Sequence, residues 1–173
     1  MFEIIKNFFI KKTKNFISKK GCKIVDVVSS HHSGCEDYCT IKNAKIGSYV
    51  SMADFVSVGV IEPDLDKIST SSFLNDKEKI PQTIIKNDVW FGVDSVIKSG
   101  ITIGNGAVIG ANSYVREDVP DFAVVGGCPA KIIKYRFDEK TQENILKSQY
   151  WKYEPQKARE IISKLQKEYD ENK

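Results

Sequence analysis

The stretch Ile85-Lys-Asn-Asp-Val-Trp-Phe91-Gly-Val-Asp-Ser-Val-Ile97-Lys-Ser-Gly-Ile-Thr-Ile103-Gly-Asn-Gly-Ala-Val-Ile109-Gly-Ala-Asn-Ser-Tyr-Val115 carries an apolar residue at every sixth position. Glycine follows three of these rungs, at Gly92, Gly104 and Gly110. A six-residue period fits neither an α-helix, at about 3.6 residues per turn, nor a strand, which alternates every ~2. It is the pattern of an all-β solenoid, a parallel β-helix in which each hexad makes one short strand and one tight corner. The large apolar residue is expected to point inward and stack on its equivalents in neighbouring coils, with glycine or another small residue at the corner.

Upstream the ladder continues less regularly. Cys35 to Ile41 is six residues and Ile41 to Ile46 is five; Met52 and Val58 then return to six, with Gly47 and Ala53 at the small position. Cys35 thus reads as an inward-facing core residue. Between Val60 and about Thr83 the ladder stops. This polar segment runs from Pro63 past Asp64, Asp66, Lys67, Ser69-Thr-Ser-Ser72 and Asp76-Lys-Glu-Lys79 to Pro81, and reads as an excursion thrown out from a corner between two coils. Insertions into such repeats map to loops on one face, often the binding face. The solenoid is expected over residues 21–136, and with the excursion set aside the ladder from Cys22 to about Gly127 makes on the order of five coils.

Residues 1–20 read as a basic amphipathic helix, with Phe2, Ile5, Phe9 and Phe16 on one face among lysines. Such a helix suits either a cap on the open end of the solenoid or weak contact with an anionic membrane surface. Residues 137–173 read as a helical tail. Asp138 is its N-cap, Pro155 opens a second helix, and Ala158, Ile161, Ile162, Leu165 and Tyr169 form an apolar stripe.

Bulk composition sets further bounds. The chain has 173 residues, enough for one domain with a sizeable core, and 26 Lys and Arg against 23 Asp and Glu. That near-balance argues against a nucleic-acid partner. No apolar run reaches membrane-spanning length and no secretory cleavage pattern stands at the start, so a cytoplasmic location is expected. Cys22, Cys35, Cys39 and Cys128 have no paired CxxC spacing. They are expected to be free thiols, and no metal site is expected.

Three runs resemble the signature of the hexapeptide-repeat acyltransferases, in particular the type-B xenobiotic/chloramphenicol acetyltransferase group and related bacterial sugar acetyltransferases. They are Lys86-Asn-Asp-Val-Trp-Phe-Gly92, Gly104-Asn-Gly-Ala-Val-Ile-Gly-Ala-Asn-Ser113, and the stretch from Asp118-Val-Pro-Asp121 to Gly126-Gly-Cys-Pro-Ala-Lys131. Ile46–Gly59, Ser69–Phe73, Arg136–Glu139 and Gln149–Pro155 extend the likeness over residues 46–155. The resemblance implies a left-handed β-helix, a homotrimer, and acetyl-CoA as acyl donor in a groove between subunits. It implies Trp90 beside the thioester, and Gly92, Gly110 and Ala111 where the pantetheine arm runs along the coils. Lys131, Lys134 and Arg136 would stand near the CoA phosphates, where cations suit an anionic partner.

The implied activity is acetyl transfer to a sugar or nucleotide-linked amino sugar for bacterial surface polysaccharide synthesis, by direct attack on the thioester. The alternatives are O-acetylation of a small xenobiotic such as an antibiotic, or a β-helix that has lost its base. The family's base is a His in the excursion, usually followed by Pro; this excursion has no His, and Glu62-Pro63 stands nearest that pair. Three solutions stay open: Glu62 as base with a pKa raised by burial, His31 or His32 reaching the site from a neighbouring subunit, or an amine acceptor that needs little base catalysis. Two histidines cannot supply the three imidazoles that a zinc hydratase of this fold would need.

Overall fold

A computed structural model describes residues 16–75 and 79–171. The chain winds as a left-handed parallel β-helix of about six turns, followed by helices. Each turn has three faces. Face one stacks β1 (Phe16–Ser18), β3 (Ser33–Cys35), β5 (Ser51–Met52), β8 (Trp90–Phe91), β11 (Val108–Ile109) and β13 (Ala123–Gly127) in parallel register. On face two, β6 (Ser57–Val60), β9 (Val96–Lys98) and β12 (Tyr114–Val115) follow the start of β4 (Thr40–Ile46). On face three, the end of β4 is followed by β7 (Thr83–Ile85) and β10 (Thr102–Ile103).

The ladder is the core. Ile85, Phe91, Ile97, Ile103, Ile109 and Val115 are all buried, and Met52, Val58 and Ile46 continue it upstream. A second inward column, two residues before each rung, was not evident from the period alone. It includes Val50, Val56, Val89, Ser95, Ile101, Ala107 and Ser113, all buried. Small or branched residues there fill the angle of the prism, where a long side chain would collide with the facing strand.

The corners differ from the expectation. The bend is made three residues before each rung, by Asp88, Asp94, Gly100, Gly106 and Asn112, with φ of 54°, 56°, 82°, 62° and 55°. Asp, Asn and Gly are the residue types that tolerate this left-handed conformation. Gly92 and Gly104 serve coil stacking instead: a Cβ on Gly92 would lie 2.5 Å from the backbone nitrogen of Ala111 in the next coil. The five-residue step from Ile41 to Ile46 has its own reason. Here β4 bends at Asn43 (φ 44°) without breaking, and β2 (Lys23–Ser29) does the same beneath it at Asp26 (φ 53°).

Three further expectations are corrected. The helix placed over residues 1–20 falls on residues 1–15, outside the described ones, and on Phe16–Ser18, which is strand and pairs with β3. Phe16 there packs on the core, so the segment forms the first face of the first coil. The excursion leaves within the third coil, between faces two and three, and returns at Thr83. At the far end, β14 (Ala130–Tyr135) turns back antiparallel on β13, so the parallel winding stops before residue 136.

The tail follows as α1 (Glu139–Ser148), a 3₁₀ turn at Tyr150–Lys152 and α2 (Pro155–Glu171). Asp138 accepts the Thr141 backbone N–H at 2.8 Å, as an N-cap should. Tyr150, Trp151 and Ala158 form a small core of their own. The tail docks on the corner between faces three and one. Tyr49 Oη donates to the Tyr153 carbonyl at 2.7 Å and Arg136 to the Gly106 carbonyl at 2.7 Å, while Phe122 meets Phe137 edge-on.

Candidate active site

Side chains alternate across a strand, so inward Phe91, Ile109 and Val125 leave Trp90, Val108 and Val124 facing out. Register places these three in one column on face one, and the antiparallel pairing continues it to Lys134. At an interstrand spacing of about 4.8 Å, Trp90 and Lys134 mark the ends of a strip about 14 Å long. Beside it runs a line of glycines: Gly92 stacks on Gly110 and Gly110 on Gly126, which pairs with Lys131. Ala111 and both lysines are exposed. The strip thus has an indole at one end (47 % exposed), a smooth backbone edge along its length, and two ammonium groups at the other end. An extended chain ending in phosphates is complementary to such a wall.

Arg136 does not extend this wall. Its guanidinium is engaged inward, with the Gly106 carbonyl, with Asp88 at 3.8 Å and over the Phe137 ring. It ties the tail to the coils. Asp88 is half-buried against Tyr150 and Arg136, and its desolvation raises its pKa above the usual carboxylate value. Tyr150 is pushed up as well, first by burial and then by the Asp88 charge. A cavity of about 550 Å³ lies under the tail, lined by Asp88, Arg136, Phe137, Tyr150 and residues of both helices.

The candidate bases lie off this strip in two places: Glu62 over face two, and the adjacent His31 and His32, with ring centroids 6.0 Å apart, in the bend before β3. Glu62 sits over face two, where it pairs with Lys98 Nζ at 2.8 Å and Arg116 Nε at 3.4 Å and accepts a hydrogen bond from the Tyr114 hydroxyl. Contrary to the expected upward shift, the Lys98 and Tyr114 bonds hold its carboxyl below the usual range. Tyr114 is pushed up to about 12, by burial and by donating to that carboxylate. Glu62 is therefore a stably ionised anchor for the start of the excursion and a weak proton acceptor.

His31 and His32 lie in the bend between β2 and β3, not on a strand. His32 adopts φ 56°, stacks on Tyr49 at 5.2 Å between ring centroids and meets Glu154 at 3.0 Å. It thus belongs to the corner where the tail docks. His31 is exposed beside it. Sequence reasoning missed Lys98, Tyr114 and Arg116 around Glu62, and Asp88 with Tyr150. It also missed that Cys22, Cys35 and Cys39 converge, their sulfurs all within 4.8 Å of one another. No spacing rule signals these groups, because residues on different coils meet only through the register.

Fold and strip together define a hexapeptide β-helix with an indole, a line of glycines and two lysines along one face. Residues 82–117 match the family described as bacterial transferase hexapeptide (six repeats). A Bacillus subtilis (strain 168) protein named "Putative acetyltransferase YvoF" is 30% identical over 152 residues, spanning 81% of this chain and 86% of that protein. The chain belongs to the hexapeptide-repeat acetyltransferase family.

A chloramphenicol acetyltransferase of Klebsiella aerogenes is 41% identical over 95 residues, covering 55% of this chain and 45% of that protein. The match thus spans under half the length of that relative. In fold, the chain is similar to AntD, an N-acyltransferase from Bacillus cereus solved with dTDP-4-amino-4,6-dideoxyglucose and coenzyme A. The TM-score is 0.65 at 21% identity, over 78% of each chain. Among the described residues no helix is long and apolar enough to cross a membrane.

Proposed function

We propose that this chain is an acetyl-CoA-dependent acetyltransferase whose acceptor is the amino group of a sugar or nucleotide-linked sugar destined for a surface polysaccharide. The donor reading is supported by the strip from Trp90 past Gly92, Gly110 and Ala111 to Lys131 and Lys134, and by family membership. Arg136 contributes by fixing the tail. A single chain supplies only one wall of a groove. The excursion exposes Leu65, Ile68, Phe73 and Leu74, with Phe73 97% exposed; such apolar surface suits contact with neighbouring copies in a homotrimer.

The observation that carries the acceptor class is the state of Glu62. The excursion contains no His, and its nearest substitute is held ionised by Lys98, Tyr114 and Arg116. An alcohol needs its proton removed as it attacks, a contribution of about 10²–10⁴-fold from a base. A neutral amine already holds a nucleophilic lone pair. Its attack forms the C–N bond and breaks the C–S bond, the CoA thiolate leaves, and the surplus amine proton passes to solvent. A second reading, O-acetylation of a small xenobiotic, is favoured by the identity shared with the chloramphenicol acetyltransferase.

An acceptor screen that measures CoA release separates the two. Amino-sugar nucleotides should exceed their hydroxyl counterparts by about 100-fold, a ratio set by the missing base. Replacing Lys131 and Lys134 together by Ala should weaken CoA binding about tenfold, with the loss shrinking at high salt. Turnover of a hydroxyl acceptor, abolished by His31→Asn or His32→Asn alone, would overturn the amine reading. CoA binding with no turnover of any acceptor would mark a β-helix without activity.

A further inference from the structure

We propose that Cys22, Cys35 and Cys39 form a three-thiolate site for a soft closed-shell cation, zinc or cuprous copper, that staples the first coil to the second. The three residues come from separate places in the winding. Cys22 precedes β2 in the first coil, Cys35 ends β3 on face one of the second, and Cys39 stands at the next corner, just before β4. Cys22 and Cys39 belong to the same inward column, one coil apart: the Lys23 backbone N–H donates to the Cys39 carbonyl at 2.8 Å. Higher coils fill that column with Val56, Ser95 and Ser113, and the column of Cys35 with Met52, Phe91 and Ile109. Thiols replace ordinary core residues only here, and all three at once.

The spacing suits a metal. A tetrahedral zinc with Zn–S bonds of about 2.3 Å places its sulfurs about 3.8 Å apart. Cys22 and Cys35 are at 3.6 Å, and all three sulfurs lie within 4.8 Å of one another. Less than about 1 Å of sulfur movement would close the set. Cys35 and Cys39 are buried and Cys22 is half-buried, so the site is reached from one side only. The Cys22 thiol now donates to the Glu36 carbonyl at 2.9 Å and the Cys39 thiol to the Ala53 carbonyl at 3.1 Å. Binding would release the three S–H protons to solvent and leave a fourth position to water or one of these carbonyls. Thiolates without imidazole or carboxylate favour soft cations over magnesium or calcium.

The site would have structural use. The first coil has a neighbour on one side only in the described chain, and its interior offers little besides Val27, Ile24 and Phe16. In a solenoid, stability is a sum of coil and interface contributions, so the terminal interface is where a cross-link adds most.

The test uses the full chain, purified with reductant and chelator and then titrated separately with Zn²⁺ and with buffered Cu⁺. One equivalent per chain is expected. The metal should protect the half-buried Cys22 from a chromogenic thiol reagent, leaving the exposed Cys128 reactive. It should also raise the melting temperature by several degrees, as binding to the native state alone requires. Cys22→Ser should abolish the equivalent and the protection, whereas Cys128→Ser should keep both. The arm that saturates first names the cation. Sub-stoichiometric binding, unchanged thiol reactivity, or a Cys22–Cys35 disulfide forming in air with no metal uptake would overturn the proposal; the thiol count does so without relying on a variant that folds.

Discussion

Gly92 and Gly110 both follow a ladder rung within the same signature, yet the fold assigns them opposite tolerance for alanine. A Cβ on Gly92 would stand 2.5 Å from the Ala111 nitrogen and 2.8 Å from its Cα, against an ordinary contact of at least 3.4 Å. The obstacle is backbone, so the next coil must retreat by roughly 0.9 Å or the strand must tilt. That strand is held by Trp90 N–H to the Ala107 carbonyl at 3.0 Å and Gly92 N–H to the Ile109 carbonyl at 2.8 Å. Overpacking costs about 1–3 kcal/mol, and weakening one of these bonds adds roughly 1 kcal/mol. Gly92→Ala should therefore destabilise by about 2–4 kcal/mol, a fall in melting temperature of about 5–15 °C for a chain this size. On Gly110 the nearest atom to a Cβ is the Val125 carbonyl oxygen at 3.2 Å, then the Ser113 hydroxyl at 3.3 Å, so the neighbours need give only a few tenths of an ångström. Gly110→Ala should stay within about 1 kcal/mol of the parent, because reduced freedom of the unfolded chain offsets the tight contact. Thermal unfolding of both variants beside the parent decides it. A Gly92→Ala melting point within 1–2 °C of the parent, or equal losses at both sites, would refute the stacking argument.

Two pH experiments follow from the half-buried, paired carboxylates Glu62 and Asp88. Glu62 has its pKa held low in the fold, so the stability it contributes is present above the ordinary carboxylate range and lost as pH falls through its folded value. The melting-temperature gap between parent and Glu62→Gln should accordingly be largest near neutrality and close below about pH 4; a gap that does not vary with pH would remove the ion-pair account. Asp88 has the opposite sign. Its raised pKa means that its contribution is fully present in acid and is lost as pH rises through the folded value. Asp88→Asn, which keeps a residue at ease with the φ of 54°, should improve relative to the parent as pH rises from about 3 to 7. A relative loss over that range would show that the Arg136 contact outweighs burial.

The period of six was legible because every large inward residue of the regular half obeys it, and the structure buries each of them. The bend positions were legible too, as the recurrence of Asp88, Asp94, Gly100, Gly106 and Asn112, but the more visible glycines after the rungs drew the corner assignment to the wrong place. Glycine at position 92 answers to a coil eighteen or so residues later, a relation that no local rule contains. The same holds for Glu62, whose neighbours Lys98, Tyr114 and Arg116 arrive from the next two coils, and for the three cysteines.

By itself, then, the sequence determined the architecture, the family likeness and the absence of a histidine where the family keeps its base, since each is written in periodicity or in contiguous residues. Only the tertiary structure decided which outward side chains share a column with Trp90, that Arg136 and His32 serve the docking of the tail, and that Glu62 is held ionised by its partners. Those outcomes depend on register between coils. Register is set by how many residues each corner consumes, and the bend at Asn43 and the excursion before Thr83 both change that count.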